Sequence, residues 1–294
     1  MSFSCFICSS QSCEQPRPEY RRCGACGHET LALSVTPSFM VNDALDEAGG
    51  RRVSFLDRFQ GAVLAHFSAT RRRRCLVDIG SGSGRFLLHH GAGFERRYGV
   101  EVSPASVNFS RNILGLEIVC DVQAIAGEID AATAWHSLEH FPATALNSTL
   151  ECLRTKLSAG GCVIVSVPNA ASFQHRLFRQ RYAFFDVPNH LHQFTPESLR
   201  RLFAVHGFTP VAEIISWPYN AFGYVQALLN CVMPGHNYLY YRLKRAAPQA
   251  SLARDLAGFC LLPLAIPLGA LFALVDAVFP RRQGVLTWCF EKRA

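Results

Sequence analysis

The segment Cys75-Leu-Val-Asp78-Ile-Gly80-Ser-Gly82-Ser-Gly84-Arg-Phe-Leu87 decides how the chain folds. A short apolar run, too short for a helix and rich in buried-strand residues, passes into three alternate glycines and then into a helix start. Glycine lets the backbone turn through conformations that a Cβ forbids and come close to a ligand, and the helix that follows offers free N–H groups to polar ligand atoms. The spacing narrows the ligand. A dinucleotide loop reads G-x-G-x-x-G, whereas this one reads D-x-G-x-G-x-G with Arg85 at the helix start.

The residues downstream agree with a nucleoside-type cofactor. Arg97-Tyr-Gly-Val-Glu101-Val-Ser-Pro104 reads as a second buried strand that ends in an acid, followed by proline at a helix start. An acid there can hold a ribose diol, which makes Glu101 the ribose candidate. Leu116-Glu-Ile-Val-Cys-Asp121 reads as the third strand, Ile129 to His140 as the fourth and Leu157 to Asn169 as the fifth.

Together these segments resemble the class I S-adenosylmethionine (SAM) dependent methyltransferases. The glycine loop is similar to their motif I. Asp130 with Trp135-His136-Ser-Leu-Glu139-His140 matches the family's "FD…W-H-x-L-E-H", and Leu157-Ser-Ala-Gly160-Gly161 through Val167-Pro168-Asn169 matches "L-x-P-G-G…V-P-N". Two departures stand out: Ala159 replaces the usual proline, and Ala131 is a small residue inside strand four. The resemblance implies a doubly wound, Rossmann-like sheet of seven strands. It also implies that SAM lies across Asp78, Gly80, Gly82, Gly84, Glu101, Asp121, Trp135 and His136, with Asp121 where the adenine amino group is read.

The first cysteines form Cys5-x2-Cys8 and Cys23-x2-Cys26, fourteen residues apart. Four thiolates so spaced suit one tetrahedral structural zinc, with Cys13 and His28 as extra ligand candidates. Seven further cysteines, at 75, 120, 152, 162, 231, 260 and 289, fall singly in mostly apolar runs and read as small core residues.

With 294 residues, 49% of them hydrophobic, the chain can bury one substantial α/β core and a small accessory unit. The expected division is a zinc module over 1–34, a SAM-binding core over 35–217, a hydrophobic helical insertion over 218–283 between strands six and seven, and the last core strand over 284–294. Thr36-Pro37 would join module to core, and Arg51 to Thr70 carries apolar residues at helical spacing. Phe208 to Trp217 reads as strand six and Gly284 to Glu291 as the last strand.

The net charge of +7 is dispersed in clusters, and Arg71 to Arg74 reads as a solvated helix end, so nucleic acid is not the expected partner. No signal-peptide pattern begins the chain, which places the expected compartment in the cytoplasm. Leu256 to Phe279 is long and apolar enough to meet a bilayer, but Pro263, Pro267 and Asp276 interrupt it. Strands six and seven must also return to one sheet. The expectation is a monotopic or re-entrant insertion docked on the inner face of a membrane, with Tyr219 to Met233 as its second apolar helix and Tyr238 to Arg245 at the headgroup boundary. The sequence sets no oligomeric state.

Phe184-Phe-Asp186-Val-Pro188-Asn-His190-Leu-His192-Gln-Phe194-Thr195-Pro196 resembles the "D-x-P-x-H" loop of methyltransferases that act on small molecules, quinones and glycans. Methyl transfer to a hydroxyl needs an aligned acceptor and a base near neutrality, so His140, His190 and His192 are the base candidates. H-x-x-E-H at His136 to His140 would suit a zinc protease only on a helix, and here it ends a strand. Quinone O-methyltransferases hold a divalent cation with E-x-x-E-H, and His136 stands in place of the first Glu. The reaction expected is therefore methyl transfer to a small or lipid-linked acceptor, at an oxygen of a glycan, quinone or secondary metabolite. Sugar C-methylation, ribosomal RNA base methylation and a non-catalytic SAM-binding scaffold remain alternatives, the first two because such enzymes also carry zinc modules.

Overall fold

The computed structural model describes residues 3–32, 53–233, 235–243 and 251–293. The junction at Thr36-Pro37 and the basic residues Lys244 and Arg245 lie outside the described residues. The module contributes β1 (Cys13–Arg17), β2 (Tyr20–Cys23) and β3 (Glu29–Leu31). The core then runs through β4 (Cys75–Ile79), β5 (Arg96–Val100), β6 (Glu117–Val119), β7 (Ile129–Trp135) and β8 (Leu157–Pro168). Next come β9 (His192–Gln193), β10 (Phe208–Ile214) and β11 (Val285–Lys292).

The main sheet has seven strands in the order β10-β11-β8-β7-β4-β5-β6. Pairing is parallel from β6 to β8, and β11 runs antiparallel to both β8 and β10. This is the doubly wound, Rossmann-like arrangement expected, with strands six and seven paired in one sheet. The central strands β4 and β7 are apolar along nearly their whole length because helices cover both faces. The acid that opens β7 is structural: buried Asp130 accepts from the Arg74 N–H at 2.8 Å, the Cys75 N–H at 3.1 Å and the Ser158 hydroxyl at 2.8 Å. It ties three segments together beneath the sheet.

Several boundaries are shorter than the sequence pattern indicates. The first core helix is Phe55–Ser68, opened by a Ser54–Asp57 capping box. Strand four stops at Trp135 and continues as a single 3-10 turn, Leu138–His140. Strand six ends at Ile214, and Trp217 opens the next helix instead of closing the strand.

The arginine run is solvated at Arg72 and Arg73, while its two ends are tied down. Arg71 pairs with Glu291 and donates to the Gly160 carbonyl, and Arg74 pairs with Glu128 and Asp130. Of the seven single cysteines, 75, 152, 162 and 289 are buried, but Cys120, Cys231 and Cys260 are exposed, so the core reading fails for those three. Cys231 and Cys260 lie on helices whose outward faces are themselves apolar, and so they match their neighbours without being interior.

Between β10 and β11 the chain forms helices Trp217–Val232, Tyr238–Leu243 and Leu252–Val278. The last is 27 residues long and tolerates Pro263 and Pro267. Its buried side, with Ala265, Gly269 and Ala273, packs on Trp217–Val232, where a Cβ on Gly269 would lie 2.7 Å from the Val225 side chain. Its other side exposes Leu256, Phe259, Leu264, Leu271, Leu274 and Val278. Asp276 is fully buried and accepts from the Tyr224 hydroxyl at 2.9 Å.

Candidate functional site

The glycine loop lies at the carboxyl end of β4, where open α/β sheets bind ligands. Gly80, Gly82 and Gly84 have φ of +70°, +53° and +74°. The three serve different needs. A Cβ on Gly80 would lie 2.3 Å from the Ser137 Cβ, whereas one on Gly82 would meet nothing within 4 Å. Gly80 is glycine because β7's continuation crowds it, and Gly82 borders open space at the helix Arg85–His90.

Glu101 follows β5 and faces that space. Its carboxylate accepts from the Gly82, Val102 and Ser103 N–H groups, each at 2.8 Å. Three N–H groups orient it next to the glycine loop, which fits a group that hydrogen-bonds a ribose diol. Asp78 lies below the loop: its carboxylate accepts from the Thr133 hydroxyl at 2.6 Å, and burial pushes its pKa up to about 7. Asp121 follows β6, exposed, and caps the Gln123 N–H at 2.8 Å. Trp135 ends β7 with its ring 5.5 Å from Phe86, and its indole N–H has no hydrogen-bond partner among the described residues.

Next to it, His136 adopts φ +53°, stacks on Phe184 at 5.5 Å and meets Tyr219 at 4.7 Å. Tyr219 in turn accepts from Gln60 of the first core helix, and Asp57 of that helix pairs with Arg85 at 2.6 Å. Sequence reasoning missed Phe184, Gln60 and Tyr219. Phe184 adjoined a quoted motif, but Tyr219 lay in a helix whose apolar composition pointed only to lipid.

The acceptor-side candidates are brought together in part. His140 and His190 sit edge to face with ring centroids 4.6 Å apart, and Glu139, His140 and His190 each offer a ligand atom within 4.8 Å of the others. His140 Nδ1 is 3.0 Å from the Asn189 carbonyl, so Nδ1 carries a proton, and in the neutral tautomer Nε2 is the nitrogen with the lone pair. Glu139 is fully buried, with Oε1 3.5 Å from His136 Nδ1. Burial pushes its carboxyl up, but the His136 contact and the nearby imidazoles outweigh this and hold it low. His190 is driven down to about 4, first by burial and then by His140, and stays neutral.

His192 does not join them. It points the other way, into the module, with Nδ1 3.2 Å from His28 Nε2 and its ring against Phe6 and Phe194. Only Leu191 separates it from His190, yet the His190 ring meets His140 while the His192 ring meets His28, and the base reading of His192 is withdrawn.

In the module, the Sγ atoms of Cys5 and Cys26 are 3.7 Å apart, those of Cys8 and Cys23 are 3.5 Å apart, and all four lie within 4.8 Å of one another. A zinc with four thiolates at about 2.3 Å has sulfur edges of about 3.8 Å, so the donor set fits. The Cys26 thiol, hydrogen-bonded to Cys5, holds the Cys5 thiol down. Cys13 is exposed and His28 is taken by His192, so neither completes the set.

A family of proteins described as a methyltransferase domain matches residues 53–213, more than half of the chain. The chain belongs to that methyltransferase family. It is thus a SAM-dependent methyltransferase by fold and family, and the match spans the glycine loop, Glu101 and the histidine turn. No curated protein matches the chain. Among solved structures, the [4+2]-cyclase SpnF aligns at 17% identity and a TM-score of 0.49, over 81% of each chain. A SAM-dependent methyltransferase from Clostridium acetobutylicum aligns at 8% identity and 0.48, covering 82% of this methyltransferase and 93% of that chain. The N-methyltransferase NodS from Bradyrhizobium japonicum aligns at 10% and 0.45, covering 81% and 97%.

Proposed function

We propose that this methyltransferase moves the SAM methyl group to an oxygen of a small or lipid-linked acceptor, such as a glycan, quinone or secondary metabolite, with His140 as the base and His190 beside it. The observation that carries the reading is the His140 tautomer: with Nδ1–H held by the Asn189 carbonyl, Nε2 is the atom free to take a proton. SAM supplies a methyl on a sulfonium, already an activated electrophile. Glu101 and the glycine loop would orient it through the ribose, and Trp135 and His136 would wall the nucleoside side. As the acceptor O–H proton passes to Nε2, the oxygen lone pair bonds to the methyl carbon and the C–S electron pair returns to sulfur, leaving a neutral thioether. Buried Glu139 steadies the imidazolium that forms. The four cysteines would hold one structural zinc.

Lipophilic acceptors and a peripheral membrane position are favoured by the helix Leu252–Val278, which reaches a mean hydropathy of 2.3 over an 18-residue window of which only 22% is buried. Arg242 and Arg254 flank one end and Arg281 and Arg282 the other, as in a helix lying in an anionic headgroup layer. The assay is transfer of labelled methyl from SAM to lipid extract, RNA and protein fractions. Label in the lipid or small-molecule fraction is expected, and label confined to RNA or protein refutes the acceptor class. Flotation with anionic liposomes tests the membrane part: protein that stays at the bottom of the gradient ends it.

A further inference from the structure

The loop that carries His190 belongs to two structures at once. β9 is only two residues long and is the fourth strand of the module's sheet, in the order β1-β2-β3-β9, with Glu29 opposite Gln193 and Thr30 opposite His192, while the next residue, Phe194, bridges Asn169 just past β8. A strand this short has no stability of its own. Consecutive backbone groups just before it are shared between the histidine site and the module. The Asn189 carbonyl meets His140 Nδ1 at 3.0 Å, and the next carbonyl, that of His190, accepts from the Tyr20 hydroxyl at 2.7 Å. The Leu191 N–H then donates to the Glu139 carbonyl at 2.8 Å, while the Leu191 carbonyl accepts from the Leu31 N–H at 2.9 Å. A shift of the module by one residue's rise, about 3.3 Å, would therefore break the Tyr20 and Leu31 bonds that hold this loop from the module side.

The module side of this strap is continuous with the cysteines. Tyr20 is fully buried and opens β2, the strand that ends at Cys23, and the Cys26 carbonyl accepts from the Thr195 hydroxyl at 2.8 Å just past β9. Buried Glu29, clamped by Arg17 at 2.5 Å and Arg22 at 2.6 Å, fixes β3 from beneath. By contrast, the glycine loop and Glu101 bond to one another, to Val100 and Val119 at the ends of β5 and β6, and to Ser110.

We infer that the four-cysteine module is the positioning element of the acceptor side, with Tyr20 as its positioning residue: metal loading sets the loop that orients His140 and His190, and SAM binding proceeds without it. The inference rests on reading those histidines as acceptor-side groups, but its test needs no acceptor. Hydrogen-exchange mass spectrometry and imidazole NMR are recorded on the full zinc-loaded chain and on Tyr20→Phe, which removes one hydroxyl and keeps the ring, with S-adenosylhomocysteine affinity measured in parallel. In the variant, the amides of residues 189–193 should exchange about tenfold faster or more, the cost of leaving a buried carbonyl unpaired. The His140 and His190 ring signals should move, the His66 signal should not, and both zinc content and S-adenosylhomocysteine affinity should stay within twofold. Chelation should loosen residues 13–31 and 189–193 together and leave residues 76–84 protected. Unchanged exchange in the loop of Tyr20→Phe overturns the inference. So does a matching loss at the glycine loop, in the variant or on chelation. Failure of methyl transfer to any lipid or small-molecule fraction, with these exchange results intact, would count against the proposed reaction and not against the strap.

Discussion

Replacing Gly80 and Gly82 one at a time by alanine separates what folds the glycine loop from what the loop binds. Both residues have positive φ, so each substitution carries a left-handed penalty of about 1–2 kcal/mol. At Gly80 the added methyl would also stand 2.3 Å from the Ser137 Cβ, which cannot rotate away because Ser137 is buried and its hydroxyl donates to the Ile79 carbonyl at 2.7 Å. Forced overpacking of this kind costs about 1–3 kcal/mol more, giving a total of about 2–5 kcal/mol for Gly80→Ala. At Gly82 the methyl meets no protein atom within 4 Å, so only the conformational penalty remains. Urea unfolding of the two variants measures stability, and calorimetric titration with S-adenosylhomocysteine measures affinity. Gly80→Ala should be the less stable protein, whereas Gly82→Ala should fold well and bind at least about tenfold more weakly, because its methyl occupies ligand space. Equal destabilisation of the two, or wild-type affinity in Gly82→Ala, would refute the assignment of the loop.

Glu101→Gln should weaken S-adenosylhomocysteine about tenfold to a hundredfold, the loss of a charge-assisted contact, and calorimetry showing unaltered affinity would move the ribose elsewhere. His140→Ala should keep that affinity while lowering turnover about a hundredfold or more; a near-normal rate in single-turnover assays would pass the base role to His190 or leave positioning alone. Metal analysis should find about one zinc per chain, lost in Cys23→Ser, and a zinc-free protein with the same unfolding curve would remove the metal from the account.

Much of the core was legible because its strands are buried on both faces and read as unbroken apolar runs, with Asp78, Glu101 and Asp121 at or near their carboxyl ends as local exceptions. The cysteine cluster was legible for a similar reason, since two C-x-x-C turns impose their own geometry. What escaped the sequence is contact between distant segments. Nothing in His192-Gln193 announces a strand, because its partner lies some 160 residues earlier in β3 and two residues carry no periodicity. That His190 meets His140 while His192 meets His28 of the module depends on that pairing, which the sequence does not show. Tyr219 was hidden by composition: an aromatic in an apolar helix reads as lipid contact, yet the first turn of Trp217–Val232 faces His136.

The placement of β11 has a consequence for the order in which the molecule can be made. Among the described residues β10 has no other strand neighbour, and β8 has a free edge until β11 enters between them, pairing Ser166 with Thr287 and Ile214 with Thr287 across a gap of more than 120 residues on the long side. On a ribosome the apolar helix Leu252–Val278 is therefore synthesised before the strand that closes the sheet. The nascent chain passes through a stage in which an open slot and an oily helix are presented together, the combination most prone to aggregation. Expression yield should consequently respond to chaperone or lipid supply during synthesis far more than the finished protein's stability does.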